Sequence, residues 1–145
     1  MIEGISHITL IVNDLERTTT LLKVLFDAKE IYSSEKKTFS LSKEKFFLIG
    51  SHWIVIMEGP SLSEHTYNHI AFKINEEDFG LYESKVRSMN LEFRPSRSRV
   101  KGEGRSLYFY DFDNHLFELH TGTLSERLAC YQHLKKEQRD HNETQ

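Results

Sequence analysis

The stretch GISHITLIVND, Gly4 to Asp14, returns 62 residues later as TYNHIAFKINE, Thr66 to Glu76, and sets His69 on His7. A chain that repeats a β-strand in this way is committed to two copies of one supersecondary unit, each covering the apolar face its partner cannot bury alone. Copies packed about a pseudo-twofold axis would bring the two imidazoles to one point. A third ligand, Glu118 in the run HLFELH, would make that point a metal site.

The register persists beyond the first strand. Ile5 to Val12 is β-branched and apolar and reads as a strand; Asp14 then offers an N-cap for a helix from about Leu15 to Asp27, with Leu15, Leu21, Leu22, Leu25 and Phe26 as its buried stripe. Strand-like runs follow at Glu30 to Ser33, Thr38 to Ser42, Lys45 to Ile49 and Trp53 to Glu58, divided by polar or glycine-containing turns. The second copy repeats the order, with a strand at Tyr67 to Ile74, a helix at about Glu76 to Met89, and strands near Leu91 to Arg94, Ser106 to Asp111 and His115 to His120. HWIVIM aligns with HLFELH once one residue is gained, which puts Val55 opposite Glu118, so that only the second copy keeps a carboxylate. The chain thus reads as one α+β domain over residues 1–145. Its paired βαβββ modules lie at about 4–60 and 66–122, followed by a helix at about 123–136 and a charged tail expected to fray.

With 38% hydrophobic and 12% aromatic residues the chain can bury a core of this size. A net charge of −3 argues against a general polyanion binder. No aromatic residue interrupts the cations Arg94, Arg97, Arg99, Lys101 and Arg105 to stack bases, so no nucleic-acid partner is expected. The lone cysteine, Cys130, excludes an intrachain disulfide and a four-cysteine zinc site, and reads as a buried or half-buried helix thiol in a reducing compartment. The amino terminus lacks the basic and apolar regions of a secretory signal, and no apolar run approaches about 18 residues. A cytoplasmic protein with no membrane partner is the expectation.

Two neutral imidazoles and one carboxylate leave coordination positions open, as a catalytic metal requires, and suit Mn, Fe(II), Co, Ni or Zn. A single histidine on an apolar strand is ordinarily a hydrogen-bonded structural residue; the matched positions in the repeat turn the argument. Glu118 stands between Phe117 and Leu119, where an unpaired carboxylate would cost several kcal/mol. Something cationic should meet it, either a metal or an Arg or Lys from an adjacent element. The glycine-containing VKGEGRS loop with its cations and Ser106 can wrap a compact anion through backbone N–H groups and charge-assisted bonds, although such loops are often solvated connections. Glu44, in SLSKEKFF, reads from the residues alone as an ordinary turn or strand-edge glutamate. No Ser-His-Asp or Cys-His nucleophile pattern is legible, and GEGRS is neither a GxGxxG nor a P-loop.

The duplicated βαβββ unit with His7, His69 and Glu118 resembles the vicinal oxygen chelate (glyoxalase/bleomycin resistance/dioxygenase) superfamily. SHITLIV, FSLSKEKFFL, WIVIMEG, TYNHIAF, GEGRSLYFYDFDNHLFELH and TGTLSERL resemble its fosfomycin resistance group, over residues 1 to about 132. The resemblance implies an eight-stranded cup exchanged across a homodimer, in which His7 of one subunit joins His69 and Glu118 of the other around Mn(II). It implies a metal-dependent epoxide hydrolase that opens fosfomycin with water to a vicinal diol, with Glu44 as general base. Arg127 matches the arginine that holds the phosphonate and Ser106 the serine beside it; Thr9 and Tyr108 match further substrate contacts, and Trp53 and Tyr67 match aromatic positions that shape the pocket. Glutathione transferases of the group have a lysine and a potassium-binding loop where this chain reads SRVKGEGRS, so Arg99 and Lys101 carry over only as phosphonate neighbours. The alternative is a thiol transferase using glutathione, cysteine or bacillithiol on the same metal site. Glu44 favours water, as does Thr9 where the bacillithiol type tends to carry cysteine. An extradiol dioxygenase would want a catechol pocket, and an antibiotic-sequestering dimer would need no metal ligands.

Overall fold

The computed structural model describes residues 1–143. Module 1 runs β1 (His7–Val12), α1 (Leu15–Phe26), β2 (Lys29–Ser33), β3 (Glu44–Ile49) and β4 (His52–Glu58). Module 2 runs β5 (His69–Lys73), a 3-10 turn at Glu76–Asp78, α2 (Phe79–Ser88), β6 (Phe93–Arg94), β7 (Ser106–Tyr110) and β8 (Leu116–His120), and α3 (Leu124–Glu143) follows. Each module forms one four-stranded mixed sheet, ordered β1-β4-β3-β2 and β5-β8-β7-β6. In both, the first strand lies parallel to the last, and the other pairs are antiparallel.

The strand registers make the duplication concrete. β1 sets Thr9 beside Val55, and β5 sets Ala71 beside Glu118, so the two positions aligned across the repeat are structural equivalents. In the same way Phe46 pairs with Val55 where Tyr108 pairs with Glu118, and Glu44 pairs with Met57 where Ser106 pairs with His120. The extra residue of the second copy therefore lies in the β7–β8 turn.

Alternation along each strand separates a core face from an outer face. Leu10, Val12, Phe47, Ile54 and Ile56 of one sheet join Phe109, Phe117 and Leu119 of the other, with α1 and α2, in a single apolar cluster. Phe26, at the end of α1, reaches across to Phe72 and Phe117 of module 2 at ring-centroid distances of 5.0 and 5.4 Å. α1 begins as expected, with the Asp14 side chain accepting from the Arg17 N–H, and ends at Asp27 in the left-handed conformation. Of its expected stripe, Leu21, Leu22, Leu25 and Phe26 are buried, while Leu15 packs at the margin of the core. A polar lock ties the modules together: buried Asp113, in the β7–β8 turn, accepts from the Asn13 N–H at 2.8 Å and the Ser61 hydroxyl at 2.5 Å.

Two expectations need correction. Thr38 to Ser42 is a bent loop and no strand, because Thr38 bonds through its hydroxyl to the Ser42 carbonyl at 2.7 Å, a local partner that replaces a strand ladder. α3 continues past Lys136 to Glu143, over a segment free of Gly and Pro and supported by a His133–Glu137 pair one turn apart at 3.2 Å. The end of the tail expected to fray, residues 144–145, lies outside the described residues. No helix among the described residues is long and apolar enough to cross a membrane.

Candidate functional site

On the outer face of the second sheet, His69 opens β5 and Glu118 sits mid-β8, with Ser106 and Tyr108 on neighbouring β7. Glu118 is 4% exposed. Its Oε1 accepts from Ser106 and, at 3.2 Å, from Arg99; its Oε2 lies 2.9 Å from His69 Nε2. Burial pushes this carboxyl upward, but the Ser106 and Tyr108 hydroxyls and the nearby His69 and His120 outweigh it, holding the group below the ordinary carboxylate range. Burial, helped by Tyr67 and the charge of Glu118, pushes the Tyr108 phenol upward.

The donor geometry of this pair fits a metal ion. His69 Nδ1 lies 2.7 Å from the Tyr67 carbonyl, which can only accept, so Nδ1 carries the hydrogen and Nε2 presents its lone pair. Two lone pairs facing each other at 2.9 Å need a shared cation, either a proton or a metal. Ligands at right angles on bonds of about 2.1 Å stand about 3 Å apart, which is the separation here.

A directed chain of hydrogen bonds runs behind Glu118. Arg127 Nη2 lies 3.2 Å from His120 Nε2, His120 Nδ1 lies 2.7 Å from Ser106 Oγ, and the Ser106 hydroxyl meets Glu118. Arg127 can only donate, so His120 is the neutral Nδ1–H tautomer and Ser106 gives its proton to the carboxylate. Burial lowers the His120 pKa, as do Arg127 and Arg99, against the opposing pull of Glu118. His69, Ala71, Glu118, His120, Gly122, Thr123, Leu124 and Arg127 enclose a cavity of about 300 Å³. Arg99 reaches the cavity through Glu118 and also donates to Ser106 at 2.5 Å and to the Tyr108 hydroxyl at 3.0 Å, while Tyr67 meets Tyr108 at 3.2 Å.

The remaining expected residues lie on the outer face of the first sheet. His7, Trp53, Phe46 and Tyr32 form a row of rings with successive centroids 4.4, 5.2 and 4.7 Å apart. Thr9 lies on the same face, two residues from His7, and Glu44 begins the adjoining β3. Glu44 is buried, and its backbone is held by Ser34, whose hydroxyl accepts from the Glu44 N–H at 3.0 Å. The two faces do not close on one another within the chain: among the described residues no three potential ligands form a metal-binding group. The expected three-ligand set is therefore divided, with His7 on one sheet, beside Glu44, and His69 and Glu118 on the other. Two buried donors, Trp53 Nε1 and Arg99 Nε, have no acceptor among the described residues, and such groups in a native fold ordinarily meet one.

The basic loop departs from its expected form. Lys101 is exposed and lies away from the His69–Glu118 cavity; its carbonyl accepts from the half-buried Cys130 thiol at 3.1 Å. Arg105 turns outward to Glu76 at 3.1 Å. Arg97 and Arg99 grip Glu103, which is 1% exposed and was not among the expected functional residues. His120 was likewise unforeseen. Its position two residues after Glu118, on the same strand face, was the available signal. For Glu103 the signal was a lone carboxylate set between glycines and surrounded by five cations.

A family model, the Glyoxalase/Bleomycin resistance protein/Dioxygenase superfamily, matches residues 4–119. The fosfomycin resistance protein FosX of Listeria innocua is 66% identical over 131 residues, covering 90% of this chain and 98% of that protein. A crystal structure of a mutant of FosX from Listeria monocytogenes, complexed with Mn(II) and 1S,2S-dihydroxypropylphosphonic acid, superposes with a TM-score of 0.83 at 60% identity, covering 90% of this chain and 99% of that one. The metallothiol transferase FosB of Shouchella clausii is more distant, at 34% identity over 137 residues, covering 91% of this chain and 89% of that protein.

Proposed function

The chain belongs to the Glyoxalase/Bleomycin resistance protein/Dioxygenase superfamily, and within it we propose that this protein is a Mn(II)-dependent hydrolase that opens the epoxide of fosfomycin with water, giving 1,2-dihydroxypropylphosphonate and fosfomycin resistance. The observation that carries the reading is one cavity in which a pair of metal-type donors, His69 and Glu118, faces the guanidinium of Arg127 with Arg99 beside it. His7, His69 and Glu118 would hold the metal, which when bound supplies Lewis acidity toward the oxirane oxygen.

The chain's own residues supply the rest. Arg127 and Arg99, with Ser106 and Tyr108 hydroxyls between them, hold the phosphonate dianion and fix the epoxide beside the metal ligands. Tyr67 and Trp53 bound the pocket, and the free Trp53 indole N–H gains an acceptor. Glu44 takes a proton from water as the water oxygen bonds to an epoxide carbon, the opposite C–O bond breaks, and the departing oxygen takes up a proton, in net the one Glu44 received, to end as the second hydroxyl.

This chemistry needs a second copy of the chain. β1 and β5 are edge strands, each beginning with a histidine, and an open edge invites pairing. A homodimer that sets the first sheet of one copy beside the second sheet of the other forms an eight-stranded cup and carries His7, Thr9, Trp53 and Glu44 to the His69–Glu118 cavity. A reducing cytoplasm suits the single free thiol.

Phosphorus NMR of fosfomycin with purified protein and Mn(II), run with and without thiols, tests the reading. Diol formation in the absence of thiol is the expected result. Turnover only in the presence of thiol, with formation of an adduct, would assign the protein to the transferases instead.

A further inference from the structure

A second buried carboxylate, Glu103, stands outside the lining of the cavity and meets it through Arg127. Its Oε2 accepts from Arg97 Nη1 at 3.2 Å and the Val100 N–H at 3.3 Å. Its Oε1 accepts from Arg97 Nη2, from the Tyr131 hydroxyl at 2.6 Å and from Arg99 Nη1 at 3.4 Å, with Arg127 Nε at 3.9 Å. One carboxylate thus joins the loop carrying Arg97 and Arg99 to the helix α3 carrying Arg127 and Tyr131, two parts that also meet where Arg97 Nη2 donates to the Tyr131 hydroxyl at 3.3 Å and the Cys130 thiol to the Lys101 carbonyl at 3.1 Å.

We propose that Glu103 is the positioning residue of the anion pocket, holding Arg99 and Arg127 in the geometry a phosphonate requires; the inference rests on the phosphonate reading above. Each arginine turns one side to Glu103 and the other to the site. Arg99 offers Nη1 to Glu103 while its Nη2 serves Ser106, Tyr108 and Glu118. Arg127 sets Nε toward Glu103 while its Nη2 meets His120. Three guanidinium groups this close repel one another, and a buried anion among them removes the repulsion and sets their spacing. The loop backbone has no ladder of its own to do this. Residues 95–105 form no helix or strand, and both its glycines, Gly102 and Gly104, sit at φ +89. It is instead pressed onto the turn between β8 and α3, where a Cβ on Gly104 would meet the Gly122 backbone at 2.8 Å.

The test is Glu103→Gln, which keeps size and removes charge, in the Mn(II)-loaded protein. Calorimetric Kd for inorganic phosphate and the KM for fosfomycin should each rise about tenfold or more while kcat moves less than about threefold, the pattern of lost ground-state binding. Mn(II) affinity, read by electron paramagnetic resonance, should not change, and Glu103→Asp should recover part of the phosphate affinity. Should Glu103→Gln fail to fold, Tyr131→Phe and Arg97→Gln loosen the same carboxylate from outside and should each weaken phosphate binding severalfold. A folded Glu103→Gln with wild-type phosphate affinity, a wild type that binds no phosphate, or a parallel loss of kcat and Mn(II) affinity overturns the proposal. If the wild type forms no diol yet phosphate binding still depends on Glu103, the positioning role stands and the fosfomycin reading falls.

Discussion

Glu44 and Ser106 occupy equivalent places in the two modules, and so do Val55 and Glu118. Each exchange puts a carboxylate on one sheet only, and the proposed function gives the two acids separate tasks, Glu118 at the metal and Glu44 in proton transfer. If Glu44 is the base, Glu44→Gln should retain Mn(II) and fosfomycin binding and lose about 10²- to 10⁴-fold in kcat; unchanged turnover, measured by phosphorus NMR, would remove it from that role. Glu118→Gln keeps the side-chain volume but gives up the anionic oxygen facing His69 Nε2. Mn(II) affinity should fall by at least about tenfold, an effect visible by electron paramagnetic resonance without any turnover.

Individual elements are joined by contacts that carry no periodic signature. The β7–β8 turn, where the second copy gains its residue, also carries Asp113, whose carboxylate satisfies the Asn13 N–H in the first module and the Ser61 hydroxyl in the segment that follows it. The insertion that breaks the repeat thus supplies the bond between its halves. Asp113→Ala would remove both bonds and should cost about 1–3 kcal/mol of stability, at about 0.5–1.5 kcal/mol for each. Denaturant unfolding would show this as a lower midpoint, while an unaltered midpoint would mean that solvent replaces the lock. The start of α3 is another such join: Thr123 and Glu126 form a reciprocal capping box that orients Arg127 toward His120.

For the molecule as a whole, the division of the site between two sheets makes a prediction about assembly. His7→Ala and Glu118→Ala should each be inactive alone. Unfolded together and refolded as a mixture, they should regain about a quarter of wild-type activity, because half of a random mixture is heterodimer and each heterodimer restores one of two sites. Refolding that regains nothing would mean that both ligands must come from one chain. Stability toward acid is the second whole-molecule property. Hydrogen bonds from Arg97 first, then from Tyr131 and the Val100 N–H, overcome burial and hold the Glu103 carboxyl at about 2, against an ordinary 4.5. A carboxyl depressed by folding stabilises the protein fully above its unfolded value, and that contribution is lost as pH falls from about 4.5 toward 2. The Tm advantage of wild type over Glu103→Gln should therefore hold above about pH 5 and shrink below it, which scanning calorimetry across that range would follow.

Much of this protein is legible in order along the chain. The repeat offset and the alternation of apolar residues determine two βαβββ modules, the faces of their strands, and the inequality that leaves Glu118 without a counterpart, because these features are local and periodic. Loop contents escaped that reading: Thr38 to Ser42 has strand-like composition but bonds to itself, and SRSRVKGEGRS looks like a free basic loop until Glu103 is seen to bind Arg97 and Arg99. Only the tertiary structure decided that Glu103 meets Tyr131, that His120 meets Ser106 and Arg127, and that Asp113 meets Asn13 and Ser61. The physical reason is the same in each case. Strand faces follow from backbone geometry residue by residue, whereas a buried charge is defined by whatever the folded chain brings around it.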